Sequence, residues 1–158
     1  MAERLSTGFA NALNTVGCVK DIMANGVIGI YGGASQPATA DAIETGTLLM
    51  LLTLSSGAFT AGVATNGLNM GTSTAGVLAK AAAETWSGVG LAAAGAGTVA
   101  TYFRWYDNDY VTGASTTAIR VDGAIGTSST YEMQMSNTTI VEAVAAVVQT
   151  FNYTTTMA

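Results

Sequence analysis

The stretch GVGLAAAGAGTVATYFRWYDNDY, residues 88–110, decides how the chain is read. Sixteen uncharged residues run from Gly88 to Phe103, and an aromatic and charged cluster follows. Such a run could be a membrane-seeking segment, a ligand-cradling loop or the lead-in to a buried strand. Four glycines among those sixteen residues make a poor helix, and a membrane span needs about 20 predominantly apolar residues. Leu91 is the only large anchor before Tyr102, which argues against a fusion peptide. The run contains neither G-x-x-x-x-G-K-[ST] nor a proper G-x-G-x-x-G, so it does not read as a phosphate cradle. It reads as a small-residue loop or strand that permits close backbone approach. The segment after it alternates: Phe103 and Trp105 face one way, Tyr102, Arg104 and Tyr106 the other.

The same period of two recurs on both sides. VIGIYGG, residues 27–33, is a short strand ending in paired glycines, and ASQPATADAIETG, residues 34–46, is a loop with the only proline, Pro37. TLLMLLTL, residues 47–54, is apolar on both faces, the pattern of a strand buried on both sides. TAIRVD places Ile119 and Val121 inward and Arg120 and Asp122 outward. TYEMQM sets Tyr131, Met133 and Met135 against Glu132 and Gln134. VVQTFNYTT puts Val147, Phe151 and Tyr153 on one face, while residues 141–148 could also be helical. Gly-, Ser- and Asn-rich turns at short intervals predict a mainly β domain, an antiparallel β-sandwich or jelly roll, over residues 27–158.

The first 26 residues have a different period. Leu5, Phe9, Ala12, Val16, Val19 and Met23 recur at spacings of three and four, with Leu13 at the edge of the stripe and Asn11, Asn14 and Asp21 opposite. This predicts an N-terminal amphipathic helix, weakened by Gly8 and Gly17 and stopped at Asn25-Gly26. Such a helix either covers its own domain or serves as a docking arm, with Leu5, Phe9, Leu13 and Val16 as the partner-binding side chains.

Composition narrows the functions. Charged residues are 9% of the 158, and the net charge is −5. A typical chain has about 25% charged residues. With five basic residues and no basic stripe, nucleic-acid binding is not expected. The lone Cys18 cannot form an internal disulfide, and histidine is absent, which removes the usual zinc ligand and the commonest general base. There is no G-x-S-x-G elbow, and neither Lys20 nor Lys80 sits in a motif that would activate it. Asp107, Asp109, Asp122 and Glu132 are candidate glycosidase carboxylates by count alone. YDNDYVTG fails the calcium-loop pattern, with Thr112 where glycine is needed and Ala118 where glutamate is needed. The opening MAERLSTGFANAL has no apolar h-region, so no secretory signal is expected, and the sequons at Asn137 and Asn152 then carry little weight. The expectation is a non-enzyme with no cofactor and no metal. Tyr102, Arg104 and Tyr106 form either an ordinary outward sheet face or an aromatic–cation patch for a sugar or partner protein.

The order of segments resembles a group of small virion proteins of tailed bacteriophages. The resemblance rests on RLSTGFANAL (4–13), NGVIGIYGGASQPATADAIETGTLLMLLTLSSGAFT (25–60), GVLAKAAAETWSGVGLAAAGAGTVATYFRWYDN (76–108), STTAIRVDGAIGTSS (115–129) and MQMSNTTI (133–140). VEAVAAVVQ, residues 141–149, departs from it in its alanine content. The resemblance implies a virion structural protein made in the host cytoplasm: a capsid decoration, or cement, subunit on the outside of the head. It would bind the major capsid protein and copies of itself, with a trimer an attractive arrangement for capping a shell, and neither nucleic acid nor membrane. The alternative is an adhesion module on a tail or fibre that binds host-surface glycan.

Overall fold

A computed structural model describes residues 3–154. Among the described residues there are eleven strands: β1 (Arg4–Leu5), β2 (Val27–Gly32), β3 (Thr47–Leu54), β4 (Met70–Thr74), β5 (Val77–Lys80), β6 (Trp86–Val89), β7 (Thr98–Tyr106), β8 (Arg120–Gly126), β9 (Met133–Met135), β10 (Thr139–Ile140) and β11 (Ala145–Thr154). Two short helices, α1 (Thr7–Thr15) and α2 (Val19–Ile22), lie between β1 and β2. The chain is mainly β, with 42% strand against 11% helix.

The expected pair of stacked sheets is replaced by a ring. β8, β7, β2, β3, β6 and β11 are neighbours in that order, and β9 bridges β11 to β8, closing a seven-stranded barrel. Every pairing is antiparallel except β8 with β9. Closure removes the edges that an open sheet must protect. Off the ring, β1 adds to β8, β10 to β7, and the β4–β5 hairpin to β11.

The interior follows from the alternation. Ile28 and Ile30 of β2 stand opposite Trp105 and Phe103 of β7, and Trp105 stands opposite Val121 of β8. Phe151 of β11 is the hub, its ring centroid 5.2–5.3 Å from those of Trp86, Phe103 and Trp105. Gly123 faces Phe103 because the ring occupies its side-chain space; a Cβ there would lie 2.4 Å from Phe103 Cζ. A register shift between Val148 and Thr150 brings Val148 and Phe151 inward together and leaves Val147 outside, against the expected face of Val147, Phe151 and Tyr153. Residues 145–148 are strand, not helix. β3 is only half as buried as its sequence predicts: Leu49, Met50 and Leu52 are covered, and Leu48, Leu51 and Leu54 are partly open.

The glycine-rich run behaves as a close-approach segment. At Gly88 a Cβ would fall 2.2 Å from the Leu51 carbonyl oxygen, and at Gly90 2.0 Å from that of Val141. One 3-10 turn at Ala92–Ala94 then leads into β7.

The continuous amphipathic helix expected from Leu5 to Met23 does not form. Arg4 and Leu5 are strand, α1 ends at Thr15, and Gly17 (φ 156°) with an extended Cys18 separates it from the single turn of α2. Ser6 caps α1 by accepting from the Phe9 N–H at 3.0 Å, and its hydroxyl also donates to the Ala118 carbonyl at 2.8 Å. Gly8 lets the helix seat on the chain at Thr117, where a Cβ would lie 2.3 Å from the carbonyl oxygen. Phe9, Ala12 and Met23 are buried in the molecule's own core.

Candidate functional site

The outer face of β2, β7 and β8 carries the densest chemistry among the described residues. Cross-strand pairing places Gly29 opposite Arg104, Arg104 opposite Asp122, Tyr31 opposite Tyr102, and Tyr106 opposite Arg120. The alternation predicted this face correctly, but not its surroundings. Tyr102, Arg104 and Tyr106 are 0% exposed. The loops 33–46 and 107–119 close over them, so these three residues are not an accessible partner-binding patch.

Arg104 forms a bidentate pair with Asp122, Nε to Oδ1 at 2.6 Å and Nη2 to Oδ2 at 2.8 Å. Its Nη1 donates to Glu44 Oε1 and to the Ala42 carbonyl, both at 2.9 Å. Glu44 is the node. Its Oε1 also accepts from the Tyr106 hydroxyl at 2.9 Å and faces Arg120 Nη1 at 3.5 Å, while Oε2 accepts from the Gly113 N–H at 2.9 Å. Arg120 donates further to the carbonyls of Gly113, Ser115 and Asp41. Tyr31 and Tyr106 share a 2.6 Å hydroxyl contact, Tyr31 stacks on Tyr102 at 5.0 Å, and the Tyr102 hydroxyl donates to the Thr45 carbonyl at 2.7 Å.

Two cations and two anions balance in this cluster. Burial opposes the charge on Arg104, but its bonds to Asp122 outweigh that and hold the guanidinium above its ordinary range. Burial acts to raise Glu44 as well, yet the hydrogen bonds converging on it, including those from Gly113 and Tyr106, hold its carboxyl below the usual value. Burial, then the neighbouring Tyr31 and Glu44, push the Tyr106 hydroxyl far up. A phenol held this firmly protonated is a poor base, and both carboxylates already accept from cations. The cluster's chemistry is spent on pinning two loops to the barrel wall.

Glu44, Arg120 and Tyr31 were absent from the sequence-derived candidates, and Asp122 stood among them only as a possible glycosidase carboxylate. Glu44 carries no motif; the only available signal was that two of the ten acidic residues, Asp41 and Glu44, stand in one loop, residues 34–46.

The other sequence candidates separate. Phe9 is fully buried, Leu13 packs half-buried against the core, and Leu5 and Val16 are exposed. They share no common surface stripe because α1 ends before Val16.

Two further surfaces stand out. Val89, Leu91, Val144 and Val147 are all exposed at one end of β6 and β11. Ala145 pairs with Val89 and Val147 with Ser87, so Val89 and Val147 share the outer face, and the Gly90 N–H bonds the Val144 carbonyl at 3.0 Å. A depression of about 250 Å³ bordered by Val144 and Val147 adjoins this band. Elsewhere a polar pocket of about 300 Å³ brings Glu3, Glu132 and Tyr131 together. Burial, and then the nearby Glu132, push the Glu3 carboxyl up to about 7. No group of three His, Cys, Asp or Glu side chains able to hold a metal ion converges among the described residues. No described helix is long and apolar enough to cross a membrane.

The site and fold together define a closed β-barrel with clamped loops and an exposed apolar band. Compared with models of protein families, with curated proteins and with solved structures, the chain gives no match.

Proposed function

We propose that the protein is a structural subunit of a phage virion that decorates the outside of the head, gripping the major capsid protein without performing chemistry. The observation that carries this reading is the apolar band of Val89, Leu91, Val144 and Val147 on a chain only 9% charged. Exposed contiguous apolar patches mark contact surfaces, and low charge limits repulsion between densely arrayed copies. Half-exposed Val and Leu side chains contribute about 1 kcal/mol each when covered. Four of them fall short of the cost of association, so a single contact is weak and attachment draws on copies acting together.

The attachment surface is thus moved from the N-terminal segment to the barrel wall. Deleting residues 1–24 removes Phe9 and Met23 from the core, so its effect on attachment cannot be separated from unfolding. The discriminating test is Val89→Asp with Val147→Asp, scored by copies per purified particle. Hundreds of copies for the unaltered chain and few for the double variant, with an unchanged circular-dichroism spectrum, are expected. Unchanged occupancy removes the band from the interface, and absence of the unaltered chain from particles removes the virion role.

The adhesion alternative retains one specific foothold, the pocket of Glu3, Glu132 and the exposed Tyr131, whose carboxylates and ring suit a sugar. It predicts a handful of copies per particle and loss of host attachment on Tyr131→Ala.

A further inference from the structure

Two strands meet end to end along one edge of β8. β1 pairs with it at Val121 and Asp122, and β9 takes over at Ile125 and Gly126, where it closes the barrel. The Ser6 N–H donates to the Arg120 carbonyl at 3.0 Å, so Arg120, Asp122 and Ala124 all turn their backbone groups toward that edge. In the gap between the two strands, the Ala124 N–H finds the Glu132 carboxylate, which accepts it at 3.0 Å.

Glu3 enters the same gap just ahead of β1, in the polar pocket it shares with Glu132. Glu132 and Tyr131 face it from the loop before β9, and Tyr153 from β11, its hydroxyl pushed up by burial and then by Glu3. Among the described residues no Lys or Arg lines this pocket. Arg4 directs its guanidinium to the carbonyls of Gln36 and Pro37, and Asp122 is held by Arg104. With Glu3 protonated, one neutral and one charged carboxyl share the joint. With Glu3 ionised, two like charges share it and no described cation stands between them.

The two strands differ in how firmly they are held. Only the rungs at Arg4 and Leu5 hold β1 on β8. Ser6, directly behind, is fixed three ways: its hydroxyl donates to the Ala118 carbonyl and accepts from the Arg120 N–H, and its own N–H bonds the Arg120 carbonyl. Strain at the joint is therefore relieved by lifting residues 3–5, and the lifting stops at Ser6.

We propose that residues 3–5 are a pH-operated strap on the seam of the barrel, closed on β8 in acid and lifted about Ser6 when Glu3 ionises beside Glu132. The lifted strap bares the backbone of Asp122 next to the closing strand. The closed form holds the Glu3 proton up to about 7, and the lifted form releases it at the ordinary 4.5. The ratio of lifted to closed strap therefore rises with pH between those two values and levels off above 7, by up to about a hundredfold between pH 5 and 7. The inference goes beyond the attachment reading, which rests on β6 and β11, and neither depends on the other.

The test uses the whole chain and trypsin, which cuts after Arg4 when that segment is free. Cleavage between Arg4 and Leu5 is followed by mass spectrometry from pH 5 to 8. Each rate is divided by that of a free peptide of residues 1–10 at the same pH, which cancels the protease's own pH response. A rise of about ten- to a hundredfold between pH 5 and 7, flat above, is expected. Glu3→Gln should hold the ratio at its acid value throughout. Glu132→Gln, whose amide oxygen can still accept the Ala124 N–H, should shrink the rise. Cuts after Arg104 and Arg120, both buried, report opening of the whole fold in the same samples. A ratio that stays flat from pH 5 to 8, the same rise in Glu3→Gln, or a rise of full size in Glu132→Gln overturns the proposal. A rise matched by cleavage after Arg104 and Arg120 also overturns it, by assigning the pH response to the whole molecule.

Discussion

Replacing Glu44 with glutamine tests whether the buried ion cluster holds the loops as described. The substitution keeps the shape but leaves Arg104 and Arg120 with Asp122 as their only anion. It also turns one amide group, a donor, toward either the Gly113 N–H or the Arg104 and Tyr106 donors. Breaking a buried ion pair costs about 3–5 kcal/mol, and solvent at the Glu44 side chain, 11% exposed against 0% for Arg104, reduces this to about 2–4 kcal/mol. For a chain of this length that is a fall in Tm of about 5–15 °C. The loss depends on pH. Glu44 sits below its ordinary value in the folded protein, so its contribution is full above about 4.5 and fades as pH falls through the folded value. Urea denaturation at pH 7 and at successively lower pH measures both effects. Stability within about 0.5 kcal/mol of the unaltered chain at pH 7, or a difference that fails to shrink in acid, refutes the clamp.

Glu3 behaves in the opposite sense. Its folded value of about 7 lies above the ordinary 4.5, so its contribution is full below 4.5 and is lost as pH rises toward 7; Glu3→Gln should stabilise by about 1–2 kcal/mol at pH 8 and change nothing at pH 4, read by thermal melts. Phe151→Ala empties the aromatic hub and should cost about 3–5 kcal/mol, with loss of near-ultraviolet circular dichroism. Val16→Ser, at a residue 69% exposed, should leave urea stability within about 0.5 kcal/mol, and a larger loss would show that Val16 is covered.

Alternation made the strands legible, and the inward set of Phe103, Trp105, Val121 and Met133 lies where the period of two places it. Ring closure was not legible, because it depends on β9 pairing in parallel with β8, and nothing local to Met133–Met135 or Ile125–Gly126 encodes that partner. The N-terminal helix was misjudged in extent: the three-and-four spacing continues past Val16, but Gly17 leaves the helical region and the stripe is divided. Arg104, flanked by tyrosines, presented the ordinary pattern of a solvated sheet face. What buries it is a pair of loops whose covering position is set by one carboxylate, Glu44, about 60 residues earlier in the chain. A single sequence read by period cannot register a contact of that span.

The hub at Phe151 bears on how the chain comes to life on the ribosome. Trp86, Phe103 and Trp105 emerge long before the residue they gather around, and β9 has no partner on one side until β11 arrives. For that interval the nascent polypeptide carries large aromatic rings without the side chain that joins them. Folding is therefore concentrated in a late, concerted event with much non-local pairing, which makes it slow, and a chaperone that shields tryptophan and phenylalanine would raise the yield of the finished molecule.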